Sequence, residues 1–417
     1  MISRSRIRRH LPEPLLDSLR NLRDRLNPPV DGVRNLRDYG FEAEDNPKPR
    51  VSLVLNTVSR EFAFGGKATA VAIFEELAAP LAAAGVDLRI VTDAPYEAAM
   101  SMLSGTPLEA QVSFASVEAN GGRIATRRRE IFIAYNWWLS ANLQALRQAQ
   151  AVHFGQAPRP KVHLLQEYEP GFFGYSAAHM VAHEAISGDD LWAVINTREL
   201  QDYWEMLGHH AQRTYCFEPH MNAALRPFAD GIAPAEKTRT VLVYGRPTIP
   251  RNAFFLVERG LQAWAERHGA NHRDWRFVSA GLPHPDIALG NGHSLTSVGK
   301  LSLEAYARLL RETALGVSLM VSPHPSYPPL EMAHFGARVL TNDFTGKRVV
   351  ERHPNIVRLP SVSGPGIAET LEAEIVSFEA DPGAAVHRKP ADPAFLTGGG
   401  FDFVPQLAAD LVEALNH

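Results

Sequence analysis

The chain contains 417 residues, of which 45% are hydrophobic and 21% charged, and its formal net charge is −4. This length predicts two or three domains of a soluble globular protein, and the slightly acidic balance gives no basis for nucleic-acid binding. The single cysteine, Cys216, excludes an internal disulfide framework and a cysteine-built zinc site and favours a reducing compartment, and no run reaches the ~18 apolar residues of a membrane span.

Residues 1–45 form a segment unlike the rest. Arginines and then leucines at helical spacing predict a basic amphipathic helix: Arg4, Arg6, Arg8, Arg9, Leu15, Leu19, Leu22 and Leu26. Such a helix either lies on an anionic membrane surface or packs on the protein's own body. Since no apolar signal core is found, we expect a cytoplasmic protein, which on the first interpretation contacts the inner face of the plasma membrane through residues 1–26.

Residues 46–225 are predicted to form a first α/β domain. A strand at 51–55, a helix at 68–84 and a strand at 88–91 make a β-α-β unit, in which Gly65, Gly66 and Lys67 stand at the first turn. Neighbouring glycines permit close backbone approach to a ligand, although a turn that needs positive φ explains them equally well. The spacing matches neither a Walker loop nor GxGxxG.

Two further strands of this domain, at 131–134 and 161–165, run into aromatic and polar residues. Ligands of open parallel sheets bind at the carboxyl ends of strands, and aromatic rings and carboxylates suit sugars. The acceptor-side candidates are Trp137, Gln166, Glu167, Tyr168 and Glu169. Core packing of the aromatic residues is the alternative. The histidines of this region lack HExxH spacing, so no zinc site is predicted.

Residues 226–395 repeat the alternation of strands and helices after a polar linker at 226–240. Strands are expected at 240–244, 276–281 and 317–321, and residues 396–417 include a final amphipathic helix that could cross back onto the first domain. We therefore predict an α/β protein with two Rossmann-like domains facing a cleft, preceded by the N-terminal helical extension.

The stretch 317–342 is expected to be the centre of the second domain. A buried strand, a proline-broken loop at 324–329, a helix beginning at Leu330 and a strand from Arg338 follow one another. A helix start after a strand offers free N–H groups to an anion, so backbone groups of Ser326 and Tyr327 could hold a phosphate.

Cationic residues accompany this site. Arg246 and Arg251 lie on one strand-to-helix turn and could clamp a diphosphate, Lys300 adds a third cation, and Glu331 could accept hydrogen bonds from hydroxyl groups. The catalytic candidates are therefore Arg246, Arg251 and Glu331, and the donor-binding candidates are Gly65, Gly66, Lys67, Gly245, Lys300, His324, Ser326, Tyr327 and Leu330.

These motifs resemble the donor-binding domain of GT-B retaining glycosyltransferases of glycosyltransferase family 4. Gly245-Arg246 with Arg251 matches the Gly-Arg-x4-Lys pattern with arginine for lysine, and Pro328-Pro329-Leu330-Glu331 matches the end of the Glu-x7-Glu pattern, whose first glutamate falls on Pro323. The segments YGRPTIPRNAFFL, VGKLSLEAYARLL, YNWW and LLQEYEPGFFGYSAAH, spread over about residues 50–350, resemble the WsaF-type rhamnosyltransferases.

The resemblance implies a retaining, metal-independent transfer of L-rhamnose from dTDP-β-L-rhamnose to a growing cell-surface glycan, with no cofactor. No Asp-x-Asp pattern stands at a strand end, and the partners expected are a nucleotide-sugar donor and a glycan or lipid-linked glycan acceptor. Three alternatives stay open: a GT-B transferase that uses GDP-mannose or a UDP-hexose, a non-catalytic nucleotide- or glycan-binding protein on the same fold, and a nucleotide-sugar epimerase.

Overall fold

The computed structural model describes residues 33–59, 66–97, 101–391 and 393–417. The predicted basic helix within residues 1–26, and Gly65, lie outside these ranges. Within them the chain forms two α/β domains, each built on a seven-stranded sheet. The predicted pair of Rossmann-like domains is therefore confirmed.

The first domain is built on a seven-stranded sheet in which every pair of neighbouring strands is parallel. Its strands are β1 Gly40–Ala43, β2 Arg50–Leu55, β3 Asp87–Thr92, β4 Val112–Ser116, β5 Arg123–Thr126, β6 Glu130–Ala134, β7 Lys161–Leu165, β8 Gly188–Asn196 and β9 Ala211–Phe217. Its helices are α1 Gly66–Ala83, α2 Pro107–Gln111, α3 Trp137–Phe154, α4 Ala177–Ala185 and α5 Arg198–Met206. The order across the sheet is β4-β3-β2-β6-β7-β8-β9, and β1 pairs with β5 separately.

The second domain repeats this arrangement. Its strands are β10 Thr238–Gly245, β11 Arg276–Gly281, β12 Ile287–Gly290, β13 His293–Gly299, β14 Thr313–Val317, β15 Arg338–Thr341 and β16 Ile356–Arg358. The remaining helices are α6 Arg226–Ala229, α7 Phe254–Arg267, α8 Leu303–Glu312, α9 Tyr327–His334, α10 Val349–Arg352, α11 Gly364–Ala380, α12 Ala394–Thr397 and α13 Val404–Asn416. The sheet order is β12-β13-β11-β10-β14-β15-β16, with only the β12–β13 pair antiparallel.

Continuous apolar runs explain why these strands are central. All six residues of β2 and all five of β14 are buried, as expected for strands covered by helices on both faces. Helices α7 and α11 cover one face of the second sheet, where Leu261 and Ile367 join the same core cluster. Because these strands are buried along their length, polar side chains follow them only beyond their carboxyl ends.

The last helix, α13, returns to the first domain. Its apolar face, including Leu407 and Leu411, belongs to the core that α1 and β2 also form. Asp410 on the same helix accepts a hydrogen bond from the Tyr215 hydroxyl at 2.5 Å and forms an ion pair with Arg213. Tyr215 and Arg213 both lie on β9. The first domain is thus built from two separate parts of the chain.

The prediction for residues 317–342 needs two corrections. The strand ends at Val317 rather than at residue 321, because the N–H groups of Met320 and Val321 bond to the Asn342 side chain and to the Arg251 carbonyl instead of continuing the strand ladder. The helix begins at Tyr327, not at Leu330, and it takes Pro328 and Pro329 into its first turn. Proline is tolerated there because the first N–H groups of a helix have no intrahelical partner.

Candidate active site

The candidate site lies where the carboxyl edges of the two sheets face each other. Glu167, just beyond β7, reaches the loop after β14, where its Oε1 accepts a hydrogen bond from Ser322 Oγ. Asn196, the last residue of β8, donates from Nδ2 to the Tyr327 hydroxyl at 3.2 Å. The Nε of Arg251, beyond β10, is 3.9 Å from Glu167 Oε2. Strand ends of both domains therefore line one cleft.

Two arginines follow β10 on the second-domain side. Arg246 comes directly after Gly245 and has no carboxylate partner among the described residues; its Nη1 is 3.4 Å from the Tyr244 hydroxyl. The Arg251 guanidinium lies over the Phe172 ring, 4.2 Å from its centroid. Burial lowers the pKa of Arg251, Glu167 opposes this shift, and Arg246 adds to it. An anion between these cations would relieve their mutual repulsion.

Glu331 lies on α9 with its carboxyl enclosed. The Tyr306 hydroxyl, on α8, donates to its Oε2 at 2.9 Å. Burial raises the pKa of Glu331 to about 7, since this one hydrogen bond offsets only part of the desolvation. The carboxyl can therefore change its protonation state near neutral pH. Lys300, the third predicted cation, is exposed in the turn between β13 and α8.

The loop between β14 and α9 is held by its own side chains. Ser322 Oγ accepts the His324 N–H at 3.0 Å, and His324 Nδ1 accepts the Ser326 N–H at 2.9 Å. The Ser326 N–H predicted to hold a phosphate is thus already engaged. Burial lowers the pKa of His324 to about 3, so its ring is neutral, and its buried Nε2 has no hydrogen-bond partner among the described residues. Leu330 is buried in the adjoining core.

The glycine turn of the first domain faces the same cleft. Helix α1 begins at Gly66, whose carbonyl accepts a hydrogen bond from Gln166 Nε2 at 2.6 Å. Lys67 is buried at the helix start, and desolvation lowers its pKa to about 8. The structure therefore brings Gly66, Lys67 and Gln166 together with Glu167.

Three predicted acceptor residues instead point into the first domain. Trp137 is fully buried, edge-on to Phe173, so its ring has no exposed face to offer a ligand. The Tyr168 hydroxyl lies 3.3 Å from His183 Nδ1 within the same core. Glu169 is buried with its Oε2 3.2 Å from His163 Nε2. Aromatic residues after a strand entered the core here because helix α4 covers that end of the sheet.

Sequence reasoning missed several residues of the cleft. Asn196 is the last residue of β8 and Ser322 lies in the loop that follows β14, so the rule that ligands bind beyond the carboxyl ends of strands would have indicated both. Lys347 is buried beyond β15, with Nζ 3.3 Å from the Met320 carbonyl, and desolvation lowers its pKa to about 8. Tyr306 gave no local signal, because it meets Glu331 only through the packing of two helices.

The described residues contain no group of three or more His, Cys, Asp or Glu side chains placed to hold a metal ion. The helices formed by those residues include none with the length and hydropathy needed to cross a membrane.

Comparison with known proteins gives one curated relative, an O-antigen biosynthesis protein RfbC from Myxococcus xanthus. It is 30% identical over 209 residues, which is 50% of this chain and 16% of the relative. The chain thus spans about a sixth of the length of that relative.

Solved structures with the same fold include a sucrose-phosphate synthase from Thermosynechococcus elongatus, with 15% identity, a TM-score of 0.50, and coverage of 88% of this chain and 95% of that one. A trehalose-6-phosphate structure from E. coli bound with UDP-2-fluoro glucose has 12% identity, a TM-score of 0.53, and coverage of 87% and 99%. At these identities the likeness concerns the fold alone, which agrees with the two-domain GT-B architecture.

Two family models match the halves of the chain separately. The model for the WsaF N-terminal domain matches residues 50–198, and the model for the WsaF C-terminal domain matches residues 239–372. Since together they cover well over half of the sequence, the chain belongs to the WsaF family.

Proposed function

We propose that the chain transfers L-rhamnose from dTDP-β-L-rhamnose to a growing cell-surface glycan, with retention of the anomeric configuration and without a metal ion. The second domain holds the nucleotide diphosphate, and the first domain presents the acceptor. The name of the Myxococcus xanthus relative supports a surface glycan as product, since it is described as an O-antigen biosynthesis protein.

The observation that carries the proposal is the pair of arginines beyond β10. Arg246 lacks a carboxylate partner among the described residues, and Arg251 is largely buried beside it, with an Nε that makes no hydrogen bond within those residues and only a 3.9 Å ion pair to Glu167. Guanidinium groups bind phosphate oxygens through two parallel hydrogen bonds. When the bond between sugar and diphosphate breaks, negative charge grows on the diphosphate, and fixed cations stabilise that charge as a metal ion would elsewhere.

The remaining groups of the cleft have roles consistent with this reaction. Glu331 on α9 can accept hydrogen bonds from hydroxyl groups of the donor, and Lys67, at the start of α1, would meet the donor phosphates from the first-domain side. The departing phosphate itself takes the acceptor's proton in a front-face route, so no protein base is required. Gln166 and Glu167 are the acceptor-side residues that reach the cleft.

Thermal melting with dTDP, UDP and GDP tests the nucleotide, because a ligand that binds the folded state raises Tm. Turnover of dTDP-β-L-rhamnose, UDP-glucose and GDP-mannose then tests the sugar, by release of nucleotide. We expect stabilisation and turnover with the dTDP compounds and no loss of turnover in EDTA. Preference for UDP or GDP donors would indicate the alternative transferase, and nucleotide binding without turnover would indicate a non-catalytic protein.

The arginine assignment is tested by Arg246→Ala. Loss of one charge-stabilising donor should raise the barrier by roughly 2–4 kcal/mol and lower kcat about 30- to 1,000-fold. Arg308→Ala is the matched control, because that arginine pairs with Glu304 on the exposed face of α8. Wild-type turnover by Arg246→Ala would overturn the phosphate assignment.

A further inference from the structure

Ser322 and Glu167 join the two domains inside the cleft. Ser322 Oγ donates to Glu167 Oε1 and accepts the N–H of His324, so the carboxylate is tied to the loop that leads into α9. Both side chains are largely shielded, with 13% of Glu167 exposed and Ser322 buried. A first-domain carboxylate is therefore fixed within a second-domain loop.

That loop has no acid of its own. From Ser318 to Tyr327 it has no acidic side chain, its only titratable groups being the neutral ring of His324 and the Tyr327 hydroxyl, and Pro323 stands between the serine that holds Glu167 and that histidine. The acid nearest along the chain, Glu331, is engaged with Tyr306 on the other side of the helix start. Glu167 thus supplies the carboxylate that this part of the second domain lacks.

Charged and hydrogen-bonding groups surround Glu167. Burial raises the pKa of Glu167 above its usual value, and the Ser322 hydrogen bond and the charges of Arg251 and Lys347 offset part of that rise. The neutral His324 ring beside this group has an unpaired Nε2 among the described residues, a buried donor that a ligand hydroxyl or phosphate oxygen would satisfy. Cations, a carboxylate and an unpaired donor therefore converge at one enclosed place.

We propose that Glu167 is a catalytic carboxylate of the sugar site, positioned by Ser322 and placed there only when the two domains are closed. The proposal rests on the proposed glycosyl transfer and adds a residue role to it. The bond from the anomeric carbon to the diphosphate oxygen breaks, the bond to the acceptor oxygen forms, and the acceptor's proton leaves with the diphosphate. Glu167 takes no proton; its negative charge stabilises the positive charge that builds on the sugar ring.

Glu167→Gln separates this role from a purely structural one, because glutamine still accepts the Ser322 hydrogen bond through its carbonyl oxygen. We expect kcat to fall about 100-fold while the Kd for dTDP stays within about threefold. If Glu167 served only as a tie between the domains, Glu167→Gln would keep wild-type kcat, and that result would overturn the proposal.

Ser322→Ala tests the positioning role. We expect kcat to fall about tenfold, Ser322→Thr to keep turnover within about threefold of wild type, and Ser322→Ala to cost nothing further in the Glu167→Gln background. Full additivity of the two changes would show that Ser322 does not act through Glu167. The matched control is Asp202→Asn, since Asp202 pairs across the domains with Arg348 on the exposed surface.

Failure of this inference is distinguishable from failure of the proposed function. If wild-type protein turns over no nucleotide sugar, the proposed function fails. If wild type is active and Glu167→Gln equals it, only the role of Glu167 fails.

Discussion

At the scale of a single residue, Glu331 makes the stability of the folded protein depend on pH. Its pKa is raised from 4.5 to about 7 by burial, so the folded protein retains a proton that the unfolded chain releases between these values. Stability from this group is fully present below pH 4.5 and is lost as pH rises through about 7, at a cost of about 3 kcal/mol.

Glu331→Gln removes that dependence. In ligand-free protein we expect the variant and the wild type to melt together near pH 4.5, and the variant to melt about 5–10 °C higher at pH 8. Thermal melting across this range measures the difference. A gap that stays constant with pH would mean that the carboxyl is ionised throughout.

Whether the position of a site residue could be predicted from the sequence depends on how local its sequence signal is. Arg246 and Glu167 follow buried strands, and the rule that ligands bind at strand ends placed both in the cleft. Trp137 also follows a buried strand, yet it lies in the core. Helix α4, which is distant in the sequence, covers that end of the strand, and a local pattern does not reveal such a contact. The hydrogen bond between Tyr306 and Glu331 joins two helices, and no pattern along the chain specifies it.

At the scale of elements, the ends of β10 and β11 approach each other too closely for any side chain. A Cβ at Gly281 would lie 2.2 Å from the Gly245 carbonyl oxygen, and Gly281 also has a φ of +148°. Glycine at both positions lets the loop that carries Arg246 leave the sheet without distortion.

Gly281→Ala should therefore destabilise the second domain and disturb the arginine turn. Steric overlap and backbone strain together are expected to cost about 2–4 kcal/mol and to lower Tm by about 5–15 °C, with weaker dTDP binding. Gly399→Ala is the control, because a Cβ there meets nothing within 4 Å. Equal melting of the two variants would contradict the close approach.

Element boundaries show where sequence reasoning was limited. The strands at 51–55, 131–134 and 276–281 were predicted within one or two residues because their apolar runs are continuous. The start of α9 was missed by three residues, since proline was treated as part of a loop. Proline is tolerated in the first turn of a helix, and this rule predicts a helix that already includes Pro328 and Pro329.

At the scale of the whole molecule, an ion-pair cluster holds the domains together. Arg352 on α10 donates to Glu199 at 3.0 and 2.5 Å and to Glu218 at 2.7 Å, and the Glu199 side chain is 2% exposed. Breaking a buried pair leaves a desolvated charge without compensation, which costs roughly 3–5 kcal/mol.

Arg352→Ala should open the cleft. We expect a larger radius of gyration by small-angle scattering and separate melting of the two domains. Arg348→Ala is the control, because its pair with Asp202 is about half exposed and contributes ~0–1 kcal/mol. An unchanged radius in Arg352→Ala would show that other contacts suffice for closure.

Helix α13 has a consequence for how the protein forms during synthesis. Its leucines complete a core whose other members lie on β2 and α1, yet the ribosome makes this helix roughly 190 residues after the last strand of that sheet, a delay of about 10–40 s. Throughout that interval the first domain exposes an apolar groove beside α1. The second domain has been fully synthesised before α13 can complete the core of the first domain. We therefore expect the nascent chain to depend on chaperones that bind this groove.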